Sequence, residues 1–222
     1  METKDKTAII LGATGLTGGI LLERLLSNEQ YKKVILFSRS TVGRTHPKLK
    51  EYLIDVLKLE KQVDQFKADE VFCCIGTTKA KTPDKKRYKD IDYGIPLSAA
   101  KLCKANDIQT FILISALGAN ANSGVFYNRV KGEMERDVMK YNIPKIHIMQ
   151  PSLIGGEREE KRAGEWLFKQ LFGLFNLLLV GPLKKYRSIA PARIAEAMVW
   201  LANHDYDKIR VESDEIQEIG IK

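Results

Sequence analysis

The chain leaves a buried-type strand and enters a helix through three glycines, Gly12, Gly15 and Gly18. They stand in G-x-x-G-x-x-G spacing between the apolar run Thr7–Leu11 and the helix-patterned Leu16–Leu26. Few joints restrict a fold as strongly. One glycine lets the chain turn sharply, a second lets the backbone approach a pyrophosphate, and a third lets the following helix pack close to the sheet. The helix start then offers unpaired N–H groups and a partial positive charge to the phosphates. With a second strand at Val34–Phe37, the pattern predicts the first unit of a dinucleotide-binding sheet, with Gly12, Thr14, Gly15, Leu16, Thr17 and Gly18 at the cofactor.

Short apolar runs continue to alternate with longer helix-period segments. Further strands are expected at Tyr52–Ile54, Glu70–Ile75, Thr110–Ser115 and Lys145–Met149, and further helices at Lys85–Asn106, Gly124–Tyr141 and Ala192–Asn203. This order predicts an α/β fold, a doubly wound parallel-sheet Rossmann domain covered on both faces. The 222 residues make one such domain, with a small substrate-side part from about Gly155 onward folded over the strand ends.

The formal net charge of +8 raises the question of nucleic acid, but the basic residues are scattered. The densest group, Lys79, Lys81, Lys85, Lys86, Arg87 and Lys89, has no interleaved aromatic residues on which bases would stack, so nucleic acid is not expected as a partner. Three cysteines, two of them adjacent at Cys73 and Cys74, form neither a disulfide framework nor a zinc-ligand spacing. The N-terminus lacks the apolar stretch of a signal peptide, and a cytoplasmic, reducing compartment is the expectation. The apolar segment Trp166–Leu183 is broken by Lys169, Gln170, Gly173, Asn176, Gly181 and Pro182. It reads as a buried amphipathic helix, a substrate lid, an interface in a homodimer or a membrane-surface contact, and not as an integral membrane span.

Cofactor selectivity is read after the second strand, at Ser38-Arg39-Ser40. An acid there would bind the adenosine ribose, whereas an arginine attracts the additional phosphate of NADP. Arg39 can stack on adenine and form paired charge-assisted bonds to phosphate, so NADP(H) is expected in preference to NAD(H). Asp55, with Val56 beside it, follows the third strand and either meets the adenine amino group or serves as an exposed turn residue. Cys74, Ile75, Gly76 and Thr77 end the fourth strand, where a small backbone would line the cofactor.

The candidate catalytic residues are Ser115, Tyr127 and Lys131. On a helix, residues four apart share a face, which brings the Tyr127 phenol and the Lys131 ammonium toward one pocket. A phenol ordinarily loses its proton near about pH 10, and a neighbouring positive charge lowers that value. Ser115, at the end of the fifth strand, stands where its hydroxyl can hold a substrate carbonyl oxygen that Tyr127 protonates. Tyr141 and Lys145 have the same spacing, but Pro144 lies between them and denies them a shared helical face.

These residues resemble the short-chain dehydrogenase/reductase superfamily, and within it the atypical members. The resemblance lies in Gly12-Ala13-Thr14-Gly15-Leu16-Thr17-Gly18, in Ser115 with Tyr127-x-x-x-Lys131, and in Gln150-Pro151-Ser152-Leu153-Ile154-Gly155-Gly156. The stretch from Arg158 to Leu167, with Cys74-Ile75-Gly76-Thr77-Thr78, is similar to the branch of the Tat-interacting oxidoreductase and its bacterial relatives. The resemblance implies that Ser115 positions the substrate, Tyr127 transfers the proton, Lys131 holds the nicotinamide ribose, and Pro151, Ser152, Leu153 and Ile154 back the nicotinamide ring. Many relatives carry a catalytic Asn in the helix after the fourth strand. Here that helix offers Asp92 and Tyr93, with Asn106 at its far end. The chain is short for a nucleotide-sugar epimerase. The expected function is therefore an NADP(H)-dependent oxidoreductase acting on a small carbonyl or alcohol, the alternative being an NADPH-binding regulatory or redox-sensor protein.

Overall fold

The computed structural model describes residues 5–155 and 179–221. Its strands are β1 (Lys6–Leu11), β2 (Tyr31–Ser38), β3 (Leu49–Leu53), β4 (Glu70–Cys73), β5 (Thr110–Ile114), β6 (Lys145–Gln150) and β7 (Arg210–Glu212). All pair in parallel in one sheet of order β3-β2-β1-β4-β5-β6-β7. The order reverses between β1 and β4, and in such sheets a crevice opens at the carboxyl ends of the strands at that point.

The helices are α1 (Leu16–Ser27), α2 (Lys85–Lys89), α3 (Ile95–Ala105), α4 (Phe126–Met139), α5 (Pro191–Asn203) and α6 (Ser213–Ile219). Alternate residues of a strand face opposite sides of a sheet, and here both sides are buried. Ala8 and Ile10 join Leu36, Phe72 and Ile112 under Leu21, Leu22 and Leu25 of α1 and Ile194, Met198 and Leu201 of α5. Ile9 and Leu11 face the other way, with Phe37, Val71 and Phe111, onto Ala99 and Leu102 of α3 and Met134 and Val138 of α4.

The expected α/β architecture is present, with informative shifts. β2 begins earlier than Val34, at Tyr31, whose buried hydroxyl donates to Glu70 at 2.7 Å; the exposed Lys32 and Lys33 hid this start in the sequence. β3 is a partly exposed edge strand that begins at Leu49, three residues before the expected Tyr52. The long helix expected over Lys85–Asn106 is α2 and α3 joined through a π turn at Asp90–Gly94. β7 and α6 carry too few residues for a periodic signal, and α6 starts at a capping box between Glu212 and Glu215.

The described C-terminal residues continue the Rossmann layers, since α5 lies on α1 and β7 extends the sheet beyond β6. Of the part expected to cover the strand ends, from about Gly155 onward, residues 156–178 lie outside the described residues. The lid, interface and membrane-surface expectations for 166–183 fall there as well, apart from the end of that segment, which enters a 3-10 turn at Gly181–Tyr186. Among the described residues no helix is long and apolar enough to cross a membrane.

Candidate active site

The glycine turn closes by contacts that side chains would block. Gly12 adopts φ +88°, in the left-handed region, and a Cβ there would stand 2.9 Å from the Cys74 carbonyl carbon. A Cβ on Gly18 would meet the Gly12 carbonyl oxygen at 2.1 Å, so α1 rests directly on the turn. Gly15 is the N-cap of α1 and contributes no side-chain cap. The first-turn N–H groups are thereby left for an anion. They open onto a cleft of about 690 Å³ whose walls are Thr14–Thr17, Cys74–Thr78, Lys81, Asp92, Ile114, Ser115, Tyr127, Lys131 and Ile154. A helix start without a cap at one end and ionisable side chains at the other suit a dinucleotide with a reactive ring.

Several residues expected at the cofactor stand away from these walls. Ser38 is buried and donates to the Ser40 carbonyl at 2.7 Å, while Arg39 and Ser40 are exposed beyond β2. Asp55 accepts from the Leu57 N–H at 3.2 Å and caps the 3-10 turn Val56–Gln62, with Val56 buried. Asp55 remains exposed at that turn, with Oδ1 the atom that takes the bond. Pro151 is buried and its carbonyl accepts from the Leu117 N–H at 2.9 Å. Ser152 donates to the Arg187 carbonyl, and Leu153 is exposed. From that stretch only Ile154 reaches the cleft wall, where it bridges to Ile189.

Tyr127, Lys131 and Glu135 follow one another at steps of four along α4. Lys131 is 3% exposed, and its Nζ lies 2.9 Å from Oδ1 of Asp92, which is fully buried. Asp92 Oδ2 accepts from the Thr77 N–H at 2.8 Å. Burial opposes the Lys131 ammonium, but Asp92 and Tyr127 more than offset it, and the group sits above the ordinary lysine value. For Tyr127 the balance differs from the sequence expectation. Burial raises its pKa, Lys131 lowers it and Asp92 raises it, and the phenol ends above its ordinary value with its proton held.

Ser115 donates to Glu135 at 2.5 Å. Glu135 is itself buried and also accepts from Gln150 Nε2 at 2.8 and 3.0 Å and from Arg210 Nε at 2.7 Å. Sequence reasoning passed over Glu135, although the four-residue step from Lys131 was a usable signal. Arg210, on a three-residue strand, had none. Burial pushes the Cys73 thiol up to about 11 and raises Cys74 further, so neither is a thiolate nucleophile at neutral pH. Tyr141 lies past the end of α4, and Lys145 Nζ donates to the His204 carbonyl at 2.7 Å, at the opposite end of the sheet.

Glu135→Ala removes the shared acceptor of three donors. The expected loss of stability is about 2–3 kcal/mol, chiefly from the buried Ser115 and Gln150, and urea denaturation measures it. A change below about 0.5 kcal/mol, the range of ordinary surface substitutions, would show that the network contributes little.

Comparison with known proteins places this geometry. Protein HTATIP2 of Rattus norvegicus is 32% identical over 176 residues, covering 78% of this chain and 72% of that protein. Protein FMP52-1 of Scheffersomyces stipitis is 34% identical over 221 residues, covering 91% of this chain and 90% of that one. The chain belongs to the atypical short-chain dehydrogenases/reductases. The family model described as semialdehyde dehydrogenase, NAD binding domain, matches residues 7–101 of this short-chain dehydrogenase/reductase, which contain the glycine turn and the first four strands. Its fold is shared with ADP-L-glycero-D-manno-heptose-6-epimerase of Helicobacter pylori at a TM-score of 0.69 and 14% identity, over 99% of this chain and 82% of that one. The short-chain dehydrogenase/reductase thus has an NAD(P)-binding Rossmann fold of the oxidoreductase type. The cytoplasmic expectation is overturned: the FMP52 relatives from Scheffersomyces stipitis, Candida albicans and Debaryomyces hansenii are named mitochondrial proteins.

Proposed function

We propose that the chain is an NADP(H)-dependent oxidoreductase that interconverts a small carbonyl compound and its alcohol. The observation that carries this reading is that Ser115, Tyr127 and Lys131 line the same cleft as the uncapped start of α1. A bound nicotinamide supplies or accepts the hydride. Tyr127, which holds its proton, gives it to the carbonyl oxygen as hydride reaches the carbon, and takes it back in the alcohol direction. Lys131 keeps a positive charge beneath the phenol and stabilises the phenolate that proton donation leaves. Ser115 either turns its hydroxyl from Glu135 to the carbonyl oxygen or, keeping its bond to Glu135, accepts from the substrate hydroxyl.

The test is consumption of NADPH, followed by absorbance, across a panel of aldehydes and ketones, with the corresponding alcohols and NADP⁺ for the reverse direction. At least one pair should turn over. Tight NADPH binding without turnover of any panel member in either direction would count against an enzyme of this class.

The preference for NADP(H) rests on Arg39, exposed beyond the carboxyl end of β2. NADPH is expected to bind more tightly than NADH, and Arg39→Asp to narrow or reverse the preference by removing a phosphate partner and adding like charge. Calorimetric titration of both nucleotides checks this; equal affinities in the unaltered protein would exclude Arg39 as the selector.

A further inference from the structure

We propose that Asp92 determines which redox form of the nicotinamide cofactor the cleft favours: its carboxylate offsets the Lys131 ammonium, so that the oxidised, cationic nicotinamide is not repelled. The inference rests on the reading of the cleft as a nicotinamide site, and it concerns a residue to which that reading gives no role.

The geometry has three parts. Between α2 and α3 the helix opens into the π turn Asp90–Gly94, an irregularity that recurs at functional sites, and Asp92 within it is fully buried. Thr77 N–H holds Oδ2, while Oδ1 faces the Lys131 ammonium at 2.9 Å without an aligned hydrogen bond. Gly76 is the residue in front of the pair. A Cβ there would stand 3.6 Å from Asp92 Oδ1 and 3.8 Å from Lys131 Nζ. The absence of a side chain at position 76 leaves both charges on the cleft wall.

A buried ion pair surrenders the hydration of two charges, and with Lys131 buried an amide at position 92 could accept the Thr77 N–H but would leave the ammonium unpaired. What the carboxylate adds is charge. The neighbouring Glu135 is matched by Arg210, so removing the Asp92 charge would leave the Lys131 ammonium uncompensated at this end. The proton from Tyr127 and the hydride go to adjoining atoms of one carbonyl. The nicotinamide ring must therefore lie at the end of the cleft that carries Tyr127, Lys131 and Asp92. Oxidised and reduced cofactors share their phosphates, riboses and adenine and differ at this ring by one positive charge. Their affinity ratio therefore reports the local charge and cancels the shared contacts.

The experiment is calorimetric titration of NADP⁺ and NADPH into the full chain, Asp92→Asn and Lys131→Met. It is run from about pH 5 to pH 8, because in Asp92→Asn burial lowers the Lys131 pKa without its counter-charge and the charge effect belongs to the acid end of that range, with circular dichroism and thermal melting to establish folding. Asp92→Asn should weaken NADP⁺ relative to NADPH by about tenfold, the scale of one uncompensated charge in a partly buried site. Lys131→Met should move the ratio the other way, and it carries the test if Asp92→Asn does not fold. An unchanged ratio in a folded variant, or an equal loss of both forms in Asp92→Asn, would overturn the proposal and make Asp92 a scaffold residue. Failure of the unaltered chain to bind either form would overturn the cofactor reading itself.

Discussion

Tyr127→Phe is expected to lower turnover by about 100- to 10,000-fold, the usual contribution of a positioned acid or base, and to leave NADPH affinity unchanged. The substitution keeps the ring that meets Tyr88 edge-on, with centroids 6.3 Å apart, and removes only the hydroxyl. Tyr127 as a whole residue is 39% exposed at the cleft, and its phenol holds its proton, as a donor to an incoming oxygen must. Tyr141→Phe repeats the chemistry at the matched spacing, but that residue lies beyond the end of α4, and the rate should not change. Steady-state rates with any substrate the carbonyl panel yields, together with NADPH titration, make the measurement. A Tyr127→Phe variant that turns over at the unaltered rate would remove Tyr127 from the reaction.

The second large effect belongs to the turn. Gly18→Ala puts a methyl group 2.1 Å from the Gly12 carbonyl oxygen, and the contact is with backbone, which cannot swing aside. Either α1 moves off the turn or the turn opens. Both displace the uncapped N–H groups, so nucleotide binding should be lost, and the overpacking should cost about 1–3 kcal/mol of stability. Its neighbour supplies the contrast. A methyl group on Gly19 would meet the Ala13 carbonyl oxygen at 3.4 Å, an ordinary contact, and alanine is the better helix former by about 1 kcal/mol. Gly19→Ala should therefore bind NADPH normally and melt no lower than the unaltered chain. Equal NADPH affinity in the two variants would mean that close packing of α1 on the turn is not what shapes the cofactor site.

What the sequence determined by itself is what nearest neighbours along the chain dictate. Gly12, Gly15 and Gly18 between an apolar strand and an amphipathic helix require a turn that only glycine fits, and the turn is where it was expected. The four-residue step from Tyr127 to Lys131 requires only that α4 be a helix. The continuous burial of β1, β4, β5 and β6 follows from their own apolar runs, and with the helices between them it predicts the parallel sheet.

The tertiary structure alone decided the charges around those residues. Asp92 reaches Lys131 from a π turn on another helix, and Arg210 reaches Glu135 across 75 residues because β7 takes its place beside β6. No local pattern encodes such meetings, since they depend on sheet order and on where a three-residue strand docks. The same holds for the phenol. The spacing to Lys131 predicted a lowered pKa, and burial together with Asp92 reversed the direction. Spacing specifies which side chains share a helical face; which of them is desolvated, and which opposing charge lies across the cleft, follows only from how distant segments pack.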